Sequence, residues 1–61
     1  PGLVDSHVHA CQYLLRGRLA DEYPMVWTRI LVPFESSLTE RECYISGKLT
    51  YLQQIKSGIT T

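Results

Sequence analysis

The stretch Pro1-Gly2-Leu3-Val4-Asp5-Ser6-His7-Val8-His9-Ala10 decides how the rest of the chain is read. Leu3 and Val4 are apolar and suit extended backbone, and Pro1-Gly2 is a turn-forming pair rather than a helix start. The sequence therefore predicts a β-strand. Side chains alternate across a strand with period two, so residues i and i+2 share a face, whereas on a helix they diverge by about 200°. Asp5, His7 and His9 fall in one row, and the two imidazoles converge on one point. Two convergent imidazoles are half of a metal site. A buried strand ends where its polar residues begin, and α/β barrels keep their chemistry at the C-terminal ends of parallel strands.

The string resembles the Pro-Gly-x-x-Asp-x-His-x-His signature that opens the barrel of metal-dependent hydrolases of the amidohydrolase superfamily. The resemblance implies an α/β fold, a (β/α)8 TIM-like barrel whose first strand is this stretch, with His7 and His9 as metal ligands. It further implies that the other ligands, two His and an Asp, and a catalytic Glu come from later strands, so that no catalytic acid or base lies in this chain. The cofactor is then a divalent ion, zinc first and iron as the alternative, because two imidazoles alone do not separate the two. Asp5 and the neighbouring backbone orient the two ligands.

Leu14-Leu15-Arg16-Gly17, Trp27, Pro33-Phe34-Glu35 and Leu38-Thr39 are similar to the aminohydrolases that deaminate adenosine-type nucleosides, together with their triazine-hydrolysing relatives. In the branch acting on methylthioadenosine and S-adenosylhomocysteine, the resemblance implies that Trp27 lines the pocket and that Glu35 holds the ribose hydroxyls. A carboxylate accepts two hydroxyls well. The run His9-Ala10-Cys11-Gln12-Tyr13 is also similar to guanine deaminases, in which a Gln at the position of Gln12 contacts the base. Two departures stand beside these matches: Val26 replaces an acidic residue often found before the Trp, and the interval from Trp27 to Pro33 is one residue short. By position alone, Trp27 reads as a core residue and Glu35 as a solvent-facing loop carboxylate. The implied reaction is metal-assisted hydrolytic deamination of a purine nucleoside or related N-heterocycle. A chlorohydrolase or cyclic-amide hydrolase of the same fold is the second reading, and a non-catalytic structural piece that associates through exposed surfaces is the third.

A TIM barrel runs to about 250 residues, and this chain has 61 without an initiator Met. The expectation is that residues 1–61 are the N-terminal part of a single barrel domain. At 44% hydrophobic and 20% charged, with no net charge, the composition fits a piece of a globular protein and speaks against a nucleic-acid surface or a disordered tail. No apolar run approaches the roughly 20 residues of a membrane span, and no basic-then-apolar leader opens the chain. The expected setting is cytoplasmic, the expected partner a small molecule, with neither nucleic acid nor membrane, and a homo-oligomer remains open for the parent protein. Cys11 and Cys43 lack disulfide-framework spacing and read as reduced thiols, Cys11 packing against the next helix rather than adding a third ligand.

Gln12 to Leu19 opens a crossover, with Gly17 permitting a turn and Arg16 and Arg18 available to Asp21 and Glu22. Pro24 suits the first turn of a short helix carrying Met25-Val26-Trp27 and Ile30-Leu31, which Pro33 stops. Thr39 with Glu42 three residues later forms a capping box for a helix from Thr39 to Ser57, with Gly58 at its C′ position. Tyr44, Ile45, Leu49, Leu52 and Ile55 form an apolar stripe expected to pack against the barrel. Ile59-Thr60-Thr61 is β-branched and starts a second strand, while Gln53-Gln54 carries no signal.

Overall fold

A computed structural model describes residues 1–19 and 25–61. In it, a 3-10 helix at Ala10–Leu15 is followed by a π-helical turn at Trp27–Leu31, helix α1 at Val32–Ser37 and helix α2 at Glu40–Lys56. The expected pairing of Arg16 and Arg18 with Asp21 and Glu22, and the helix-starting role of Pro24, lie outside the described residues.

Helix α2 has both ends set by local chemistry. The Thr39 hydroxyl accepts the Glu42 N–H at 3.3 Å, while the Glu42 carboxylate accepts the Thr39 N–H at 2.8 Å. That is the reciprocal capping box the sequence predicts. At the other end Gly58 N–H donates to Ile55 O at 3.0 Å and Ile59 N–H to Gln54 O at 2.9 Å, the Schellman pattern. Gly58 takes φ 88°, a conformation that side chains beyond glycine rarely adopt.

This turn sends the chain back alongside its beginning. Leu3 N–H donates to Gly58 O at 2.8 Å and Thr60 N–H to Leu3 O at 2.9 Å, which makes a single parallel bridge between Leu3 and Ile59. Asp5 N–H then reaches Thr61 O at 2.7 Å. Gly2 is required here by space: a Cβ would collide with Cγ2 and Oγ1 of Thr60.

The expectation of a strand running through His9 is corrected at this point. Among the described residues no strand forms, and the chain is mostly helical with one parallel bridge. The reason is partner supply. A strand needs neighbours roughly 4.8 Å away to take its N–H and C=O groups, and among the described residues only 58–61 pair with the backbone of residues 3–5.

Two helix readings also change. Pro33 does not end the short helix; it sits in the first turn of α1, directly after the π-helical turn. Proline cannot donate to the preceding turn and its ring crowds it, and the widened turn ahead of it, with Val32 N–H bonded to Trp27 O, accommodates both effects. In α2 the apolar stripe is exposed, Tyr44 at 67% and Ile55 at 66%, and the helix packs on the 3-10 segment through Ser46 and Thr50, which are buried. Small hydroxyl side chains let two backbones approach and donate to carbonyls that the stripe residues could not satisfy.

Leu15 and Leu31 are the buried large apolar residues among those described. The Cα radius of gyration is 13.0 Å, against about 10.5 Å for a compact domain of this length. Polar ties rather than a closed apolar core therefore hold α2 to the N-terminal segment. No described helix is long and apolar enough to cross a membrane.

Hydrogen bonds from Thr39 hold the Glu42 carboxylate below the usual carboxylate range. A lowered folded-state pKa means the cap stabilises above the unfolded carboxylate pKa and loses that contribution as pH falls through the lowered value. Thr39→Ala is expected to cost about 1 kcal/mol and to weaken this acid sensitivity without abolishing it, because the backbone N–H at position 39 still donates to Glu42, whereas Glu42→Gln is expected to remove it; both are read from amide exchange at the start of α2. Gly2→Ala is expected to speed exchange at Leu3 and Thr60 while leaving central α2 amides protected; unchanged exchange at Leu3 would show that Thr60 moves aside freely.

Candidate metal centre

His7 and His9 follow directly on the paired residues 3–5, where the backbone loses its ladder and is free to bend. His9 has φ −109° and ψ 74°, outside regular strand geometry, and it caps the 3-10 helix. Even so, the rings converge: the two Nε2 atoms lie 2.8 Å apart and the ring centroids 4.9 Å apart, tilted by 40°. Both side chains are exposed. At this distance the rings share one N–H···N hydrogen bond, whose direction depends on the tautomers. A tetrahedral zinc ion holds two ring nitrogens about 3.3 Å apart, so the pair fits such an ion after opening by about 0.5 Å. Among the described residues no group of three His, Cys, Asp or Glu side chains converges, and two rings are fewer than the three protein ligands a catalytic zinc takes.

Asp5 acts on the backbone beneath the pair. Its Oδ1 accepts the His7 N–H at 3.1 Å, and its Oδ2 accepts Gln54 Nε2 at 2.6 Å. Gln54, which carried no signal in the sequence, is therefore tied to the histidine segment across 49 positions. Beyond His9, Ser46 Oγ donates to Ala10 O at 2.9 Å and to Cys11 O at 3.1 Å, and Thr50 Oγ1 donates to Ala10 O at 3.0 Å. Sequence reading missed all three. Their only shared mark is a spacing of four, which places them on one face of α2.

Of the residues read as substrate contacts, two come together and one stands apart. Gln12 Nε2 donates to Glu35 Oε1 at 2.6 Å, bridging the 3-10 helix and α1. Cys11 Sγ reaches the same oxygen at 3.6 Å. Trp27 is 54% exposed and makes no hydrogen bond to either among the described residues. Burial, with help from the Glu35 carboxylate beside it, pushes the Cys11 thiol above its ordinary value. Both effects favour the thiol over the thiolate. Cys11 and Cys43 are both free. They also line an apolar groove of about 570 Å³ with Ala10, Gly47, Tyr51 and Ile55, which none of His7, His9, Gln12 or Glu35 borders.

The Amidohydrolase family profile matches residues 1–61, the whole chain. The chain belongs to the amidohydrolase family. Relatives of this amidohydrolase include a 5-methylthioadenosine/S-adenosylhomocysteine deaminase of Halothermothrix orenii, 43% identical over 63 aligned positions that cover 100% of this chain and 14% of the relative. The enzyme of the same name from Desulforudis audaxviator is 44% identical, again over 100% of this chain and 14% of the relative. A 5'-deoxyadenosine deaminase of Methanosphaera stadtmanae is 40% identical over 100% of this chain and 15% of the relative. The chain thus spans about one seventh of the length of the curated relatives it matches. No solved structure matches it.

Because the Glu35 charge helps to hold the Cys11 proton, Glu35→Gln is expected to lower the Cys11 pKa and speed its alkylation at pH 8. An alkylation rate unmoved by Glu35→Gln would show that the two side chains are not neighbours in solution.

Proposed function

We propose that residues 1–61 form the opening segment of the barrel domain of a metal-dependent aminohydrolase that deaminates an adenosine derivative. The observation that carries this reading is the convergence of His7 and His9 Nε2, 2.8 Å apart, immediately after a parallel pairing between the chain's two ends. In a barrel the paired residues 3–5 and 58–61 become the first two strands, α2 becomes part of the crossover between them, and the exposed apolar stripe and groove of α2 are covered by neighbouring elements. Family membership supports the barrel and the dependence on a divalent metal. Imidazole donors suit zinc, with iron as the alternative.

His7 and His9 are the residues that hold the ion, and Asp5 fixes their register through the His7 N–H. When bound, the ion lowers the pKa of a water molecule and so supplies hydroxide at neutral pH for attack on an aromatic C–N centre. This chain's own contribution is binding and orientation. Glu35 offers a carboxylate to ribose hydroxyls, and Oε2 carries no hydrogen bond among the described residues, while Gln12 holds Oε1 in place. Gln12 can turn the same amide toward a purine edge, and Trp27, already exposed, can stack on the ring. The relatives named for adenosine derivatives favour a nucleoside over a triazine or cyclic amide. With two ligands where catalysis needs at least three, the 61-residue chain by itself is not catalytic. The parent acts as a soluble cytoplasmic enzyme on a small molecule.

The test is metal content and turnover of the full-length enzyme on methylthioadenosine, S-adenosylhomocysteine and 5'-deoxyadenosine. His7→Ala and His9→Ala are expected to lose bound metal and to lower kcat by on the order of 1,000-fold or more, since the activated water goes with the ion. Full metal content in either variant would refute the ligand assignment. Glu35→Gln is expected to raise KM for nucleosides roughly 10-fold, the loss of a charged hydrogen bond, with little effect on the free base.

A further inference from the structure

Both histidines lie between Asp5 and Ala10, and each end of that stretch is bound to the same face of α2. Gln54 holds the Asp5 carboxylate at one end, and Ser46 and Thr50 hold the Ala10 carbonyl at the other. Ser46, Thr50 and Gln54 recur every four residues, about one per turn, and form a stripe about 12 Å long. A fully extended stretch from Asp5 to Ala10 would cover about 17 Å, which agrees with the departure from extended backbone at His9.

Ser46 and Thr50 are costly choices for a helix that needs only an apolar inner face. Ser and Thr in helix interiors compete with the helix's own backbone, and Thr50 Oγ1 does contact Ser46 O at 2.9 Å. Their positions are explained by the carbonyls of Ala10 and Cys11, which take their protons. Gln54 is the more specific member. It is half-buried, its carbonyl takes the Ile59 N–H that turns the chain into the parallel bridge, and its amide holds the one carboxylate that touches the His7 backbone.

We propose that Ser46, Thr50 and Gln54 form a positioning stripe for the histidine pair, in which Gln54, acting through Asp5 on the His7 N–H, sets metal affinity. The proposal rests on the reading of His7 and His9 as ligands. Without the Gln54 donor, one oxygen of a partly buried carboxylate loses its partner, Asp5 turns toward water, and His7 is no longer held at 2.8 Å from His9.

The experiment uses the full-length enzyme carrying this segment, with zinc alone as the probe. Zinc affinity by chelator competition is compared with the thermal midpoint of the metal-free protein, in Gln54→Met, Gln54→Lys, Asp5→Asn, the Gln54→Met/Asp5→Asn double variant and His7→Ala. Gln54→Met keeps the length and loses the donor, and is expected to weaken zinc binding about 10-fold with an unchanged metal-free midpoint. Gln54→Lys restores a donor and is expected to restore affinity. The double variant is expected to bind no more weakly than the weaker single variant, because the two residues act in series. Unchanged zinc affinity in Gln54→Met while His7→Ala loses zinc would overturn this proposal alone. So would a loss that merely follows the metal-free midpoint, or losses that multiply in the double variant. Zinc content unchanged in His7→Ala would overturn the ligand reading and this proposal with it.

Discussion

Backbone groups must be paired, and the segment that carries the histidines takes its partners from one place. Leu3 and Asp5 donate to carbonyls at and beyond Gly58, Leu3 accepts from Thr60, and Ala10 and Cys11 accept from hydroxyls of α2. Helix α2 and its terminal turn thus supply the outside partners on both sides of His7 and His9. If the Schellman turn at Gly58 or the cap at Thr39 is displaced, the partners move together, because one rigid helix carries them all.

The same arrangement explains where this chain leaves its apolar surface. Since α2 turns a polar, small-residue face inward, Tyr44, Ile45, Leu49, Leu52 and Ile55 remain exposed, and the burial of Leu15 and Leu31 is the main apolar consolidation. Exposed apolar area of this kind is ordinarily covered by further structure. In the barrel proposed above that cover comes from adjoining strands and helices.

Some of the side-chain neighbourhoods were legible in the sequence. His7 and His9 were found by period-two spacing, and they do converge, although the backbone between them is bent rather than a regular strand. Gln12 and Glu35 were singled out separately and are hydrogen-bonded partners. Asp5 was expected to orient the ligands and touches the His7 backbone rather than either ring. Gln54, Ser46 and Thr50 escaped because their partners lie 35 to 49 positions away. Nothing local marks a helical hydroxyl that bonds a distant carbonyl.

What the sequence by itself determined is the chemistry that acts within four residues. The capping box of Thr39 and Glu42, the left-handed Gly58 and the length of α2 all follow from local geometry. What only the tertiary structure decided is which face of α2 turns inward and how far the first segment stays extended. Hydrophobic periodicity pointed to the stripe of Tyr44, Leu52 and Ile55. The carbonyls of Ala10 and Cys11 are taken by Ser46 and Thr50 instead, because their hydroxyls donate hydrogen bonds where aliphatic side chains cannot.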